Sequence, residues 1–118
     1  MQSTLKFNLH RKRFRVAANE AGISSELTTF QYLVEDDLVL GSYQGGPILM
    51  GQIIGTATRD DALDLRFQCL ALGGELRSGW WRAILSMMHD GRLVMSFEWS
   101  WLLPDHVKCS CSTHVEVP

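Results

Sequence analysis

The sequence predicts an all-β fold: a single antiparallel up-and-down β-barrel of about eight strands, with a two-sheet β-sandwich as the alternative. Three observations predict it. Apolar residues recur at every second position in many short stretches, and apart from a turn at Ala17 to Gly22 nothing between Phe14 and Val117 keeps the period of an amphipathic helix. Turn-forming clusters separate those stretches. The connections are also shorter than the dozen or so residues that a parallel crossover needs, so neighbouring strands must pair antiparallel.

In chain order, the first strands are expected near Phe14 to Ala18, Leu27 to Val34, Leu38 to Tyr43 and Pro47 to Thr58. The fifth starts at Leu63, with Leu63, Leu65, Phe67 and Cys69 on a dry face and Asp64, Arg66 and Gln68 on a wet one. A sixth spans Glu75 to Leu85. The seventh alternates most clearly, Leu93, Met95, Phe97, Trp99 and Trp101 against Arg92, Val94, Ser96, Glu98 and Ser100, and an eighth covers Val107 to Val117. Glu35-Asp36-Asp37, Gln44-Gly45-Gly46, Arg59-Asp60-Asp61, Gly73-Gly74 and His89-Asp90-Gly91 supply the turns. Gly45-Gly46 with Gly51 recurs 28 positions on as Gly73-Gly74 with Gly79, a hairpin echo that implies a continuing meander. Such a meander either closes or leaves long edges, and closure gives the small-barrel architecture of lipocalins and streptavidin. Gly51, Gly55 and Gly79, inside strands, are expected at bulges or bends.

Composition bounds the function. The chain has 118 residues, 46% hydrophobic and 20% charged, with a formal net charge of −2. That fits one domain over residues 1–118 with a core that needs no disulfides. The slightly acidic balance argues against a nucleic-acid partner, and no apolar run is long enough for a membrane helix. A cytoplasmic location is expected, because the start lacks a leader pattern and three cysteines are few and odd in number.

Leu63-x-Leu65-Arg66-Phe67-Gln68, Gly74-Glu75-Leu76-x-x-Gly79, Asp90-Gly91-Arg92-Leu93 and Glu98-Trp99-Ser100-Trp101 resemble a family of small bacterial all-β proteins. Some of its members carry the name N-acetylglutamate synthase. The resemblance, with a weaker match through Gly41-Ser42-Tyr43-x-Gly45-Gly46, covers about half the chain and implies the fold. The family has a Tyr-Gln-His-Val-Asn-like stretch where this chain reads Phe67-Gln68-Cys69-Leu70-Ala71, so a site using that histidine does not carry over. Gln52-Ile53-Ile54-Gly55-Thr56-Ala57 looks like an acetyl-CoA pyrophosphate loop, but such a loop must open a helix, and here a turn and a strand follow.

Other chemistry is scarce. His106, Cys109, Cys111 and His114 are types that zinc accepts, yet strand parity sends the cysteines to one face and the histidines to the other. Cys109 and Cys111 are then expected to be buried in line with Val107, Val115 and Val117. Cys69 reads as core and His89 as a solvated turn residue. Glu75, Glu98 and Asp64 read as outer-face carboxylates paired across strands with Arg66, Arg77 or Arg92. The run His10-Arg11-Lys12-Arg13-Phe14-Arg15 reads as a solvated edge strand. No catalytic residue, metal or cofactor is indicated.

Four indoles, Trp80, Trp81, Trp99 and Trp101, fall on two adjacent strands. With Trp99 and Trp101 inward, parity is read as placing Trp80 and Arg82 inward too. The expected function is then a non-enzymatic binding protein whose barrel mouth, lined by Tyr32, Trp80, Arg82, Trp99 and Trp101, accepts a small apolar or weakly anionic molecule. The competing class is a homodimeric module with a solid core that associates through an outward Trp81. A barrel-type cyclase or isomerase is the third class.

Overall fold

The computed structural model describes residues 3–19, 27–101 and 110–117, and every strand in it belongs to one closed sheet. The strands are β1 (Arg13–Asn19), β2 (Thr29–Glu35), β3 (Leu38–Gly45), β4 (Ile48–Arg59), β5 (Ala62–Ala71), β6 (Leu76–Met87), β7 (Leu93–Trp101) and β8 (Ser110–Val117). Each pairs antiparallel with its sequence neighbour, and β8 returns to β1 through pairs such as Arg13↔Val117 and Val16↔His114. Closure follows from the alternation: β1 to β7 each turn apolar residues inward, which a rolled sheet removes from water on all sides, and β8 completes the cylinder with Ser112 and His114 inward. β1 is therefore paired on both sides, and the basic run beside it does not form an edge. Its Phe14 is fully buried.

The turns use the chemistry expected of them. Gly45, Gly46, Gly74 and Gly91 all have positive φ, and Asp36 joins them at 54°. The in-strand glycines behave differently from expectation. Register shifts fall at Val16/Ala18, Tyr43/Gly45, Ile48/Met50 and Ala57/Arg59, so Gly51, Gly55 and Gly79 are not bulged residues. Two of them instead make room for rings. A Cβ on Gly51 would lie 2.2 Å from the Tyr43 ring, and one on Gly79 would lie 2.4 Å from the tip of Phe67. In each case an aromatic from the preceding strand lies across the glycine it pairs with.

The core is the lumen, packed with Phe14, Phe30, Tyr32, Leu65, Phe67, Trp81, Met95, Phe97 and Trp99. One end is covered by the segment that precedes β1. Its backbone first extends the β2 ladder, with Tyr32 N–H donating to the Lys12 carbonyl at 3.1 Å and Arg11 N–H to the Tyr32 carbonyl at 2.8 Å. It then crosses the barrel end. Lys6 N–H reaches the Asp60 carbonyl at 2.9 Å, and the Thr4 hydroxyl donates to Asp37 Oδ2 at 2.8 Å. Leu9 is buried beneath this strap, and Leu5 and Phe7 pack against the core.

Candidate functional site

The opposite rim carries the turns between β3 and β4 and between β5 and β6. Register places Tyr43, Gly51, Cys69 and Arg77 in one line of paired residues across β3 to β6, all facing inward. Trp101, paired with Gly79, joins them from β7. Among the described residues, Arg77 is the inward-facing cation of this rim. Its guanidinium lies 5.2 Å from the centroid of the Trp101 ring and pairs with Glu75, and 28% of its side chain remains exposed. A guanidinium held over an indole keeps its charge while its stem and partner are half desolvated.

Below the rim the lumen is aromatic. Phe67 stacks on Trp81 at 5.0 Å and meets Trp101 edge-on at 5.5 Å, and Trp99 and Trp101 make a T-shaped pair at 4.9 Å. Trp99 Nε1 donates to Ser112 Oγ at 2.8 Å. Burial pushes the Cys69 thiol up from its usual value, which makes it a poor nucleophile. Burial also pushes the phenols of Tyr32 and Tyr43 far up, so both stay neutral.

Two polar atoms in the lumen lack partners among the described residues: Trp81 Nε1 and His114 Nδ1. The rings that carry them are 6.1 Å apart and share Phe30 and Phe97 as neighbours. Leaving a buried polar group unpaired costs about 1–3 kcal/mol. Burial alone pulls the His114 imidazolium down from 6.5 to about 3, so the ring is neutral at physiological pH.

The sequence-predicted site is only partly assembled. Trp99 and Trp101 face inward as expected, and Tyr32 is inward too but fully buried toward the strapped end, its hydroxyl 3.6 Å from Met95 Sδ. Trp80 and Arg82 are corrected to the outer face, where the Arg82 guanidinium lies 5.2 Å over the Trp80 ring. The reason is register. Trp81 pairs with inward Leu65 and Trp99, which forces residues 80 and 82 outward, and Arg82 falls between Asp64 and Glu98. Trp81 is 5% exposed, so it presents no surface to a partner subunit.

The eighth strand is corrected likewise. Cys111 is exposed, whereas Ser112 and His114 face inward; His106 and Cys109 lie outside the described residues. Among the described residues no cluster could hold a metal ion. Outer-face charges pair along their own strand or turn, Arg66 with Asp64 and Arg92 with Asp90, rather than across strands. Gln52 to Ala57 lie within β4, with no helix after them. The outer wall carries grooves of about 770 Å³ by Asp64, Arg82 and Glu98, and about 560 Å³ by Leu40, Ile54 and Arg66.

Arg77 and His114 were not among the sequence-predicted site residues. Arg77 is identifiable only once β6 is in register with β7. For His114 the signal was its place two residues from Ser112, opposite Met95 and Phe97 of the clearest strand.

The family model described as avidin-like protein matches residues 7–117. No curated protein and no solved structure matches the chain.

Proposed function

This chain belongs to the avidin-like protein family, and on that premise we propose that its barrel binds a small apolar or weakly anionic molecule through the Arg77 rim. Eight-stranded barrels of this size are either filled by their own side chains or hold one small ligand, as in lipocalins and streptavidin. The observation that carries the reading is Arg77, a guanidinium of inward parity stacked on Trp101 above an aromatic lumen whose other end is strapped shut. Its resting counter-ion is the half-exposed Glu75, and a solvated pair of that kind contributes little stability, so a ligand carboxylate exchanges for it at small cost. The aromatic walls of Phe67, Trp99 and Trp101 accept the apolar body of the ligand.

The test is titration of the full chain with decanoate, indole-3-acetate and biotin, read by tryptophan emission and thermal midpoint. At least one probe is expected to bind, and Arg77→Gln to weaken an anionic probe about tenfold through loss of a charge-assisted contact. Absence of any response at millimolar probe defeats the proposal.

A second reading, self-association, rests on a different observation. Leu33, Leu40 and Ile54 form a row in register across β2, β3 and β4 on the outer wall, and they are 46%, 38% and 57% exposed. Sedimentation at micromolar concentration tests it: Ile54→Lys is expected to convert a dimer to a monomer, and a monomeric parent chain refutes it.

A further inference from the structure

The unpartnered nitrogens of Trp81 and His114 say more about the ligand than the rim does. The two side chains project from β6 and β8, the two neighbours of β7, into one aromatic cluster, and polar atoms so deeply enclosed are normally paired. Among the described residues their ring neighbours carry no charge, and Glu116, the next inward position of β8, is paired with Lys12. Their ring neighbours are Phe30, Phe67 and Phe97, and the barrel positions around them on the inner face are Leu65, Ala83 and Met95. An ion would be stranded among those groups, whereas a neutral oxygen accepts from the Trp81 indole N–H; a hydroxyl also bonds His114 Nδ1 in either tautomer, and a carbonyl bonds it in the tautomer that carries the proton there.

We propose that Trp81 and His114 form a recognition subsite for a neutral oxygen, hydroxyl or carbonyl, carried at the deep end of the ligand whose anionic end lies at Arg77. This rests on the barrel's being a ligand-binding one. Arg77 and Trp81 share the inner face of β6 four residues apart, about 13 Å along a strand. The ligand class is therefore an extended amphiphile with a carboxylate at one end and an alcohol or ketone at the other. Phe67 lies over Gly79 between the two positions, so a chain that joins them requires its ring to turn aside. The inward His114 is neutral because burial disfavours its charged form, which suits it to a neutral partner.

The experiment compares decanoate with 10-hydroxydecanoate by calorimetry on the full chain. The hydroxylated probe is expected to bind about tenfold tighter, and the ratio to collapse toward one in Trp81→Phe and, separately, in His114→Leu. Trp81→Phe keeps a ring in the cluster, and near-ultraviolet dichroism establishes that each variant is folded. Because the ratio is first measured in the unaltered chain, it stands even where a variant fails to fold. Equal affinities for the two probes, as when the hydroxyl only replaces an ordered water, overturn the subsite and leave the rim reading intact. A ratio that survives in both folded variants does the same. Binding of neither probe overturns this inference together with that reading.

Discussion

His114 makes the stability of the barrel depend on pH, with a sign and size that follow from its surroundings. The ring is 2% exposed, packed between Phe30 at 4.2 Å and Phe97 at 4.6 Å, and its Nδ1 has no partner among the described residues. Its folded-state value of about 3 lies below the ordinary 6.5 because of that burial. As pH falls the unfolded chain therefore takes up a proton first. The contribution is fully present above pH 6.5 and is lost progressively as pH falls toward 3, at up to ~1.4 kcal/mol per pH unit. Relative to pH 8, about 2 kcal/mol is lost at pH 5 and about 3 kcal/mol at pH 4. Urea denaturation at half-unit steps from pH 8 to pH 4 measures it, with His114→Leu as the control that leaves His10 and His89 in place. The two curves are expected to diverge below pH 6.5, the variant being the flatter. The range ends at pH 4 because Asp37 and Asp90, held below the usual carboxylate range by backbone N–H groups of Thr4 and Arg92, contribute stability that is lost as pH falls through and below that range. Parallel curves for the two proteins would refute the reasoning.

Two further outcomes are expected. Leu9→Ala removes the buried anchor of the strap and is expected to cost roughly 2–5 kcal/mol in urea unfolding, as for other fully buried leucines; a loss below 1 kcal/mol would mean that the strap is not part of the core. Trp80→Phe is expected to remove most of the iodide-quenchable tryptophan emission and Trp81→Phe almost none, and the reverse result would restore the opposite parity for β6.

Where a strand separates apolar from charged residues cleanly, sequence alone fixes its faces. In β5, Leu63, Leu65, Phe67 and Cys69 are buried and Arg66 and Gln68 exposed; in β7 the alternation holds from Leu93 to Trp99, whereas Ser100, read as wet, is buried beside Trp101. In β6 both faces are apolar: Gly79, Trp81, Ala83 and Leu85 turn inward while Leu76, Trp80 and Ile84 turn outward. Each face also carries one arginine, Arg77 inward and Arg82 outward, so charge does not break the tie. Register from the neighbouring strands resolves what the strand itself leaves ambiguous. In β8 the inward set is Ser112 and His114 rather than cysteine and valine, because the barrel closes there and the Trp99 indole needs an acceptor. The strap was readable but unread: Leu5, Phe7 and Leu9 alternate with Thr4, Lys6 and Asn8 in the same rhythm as the strands.

The seam between β1 and β2 is the shortest ladder among the described residues, running from Arg13↔Gln31 to Arg15↔Thr29 and extended only by the bonds of Tyr32 to Arg11 and Lys12, whereas β4 and β5 are joined from Ile48↔Ala71 to Arg59↔Ala62. A hoop under strain parts at its weakest stave. Thermal opening of this molecule should begin by unzipping β1 from β2, and the amides of Phe30 and Tyr32, which face β1, should exchange with deuterium well before those of Phe67 or Leu65. For a moment the cylinder then has two free margins, and a second chain in the same condition can be stitched to them.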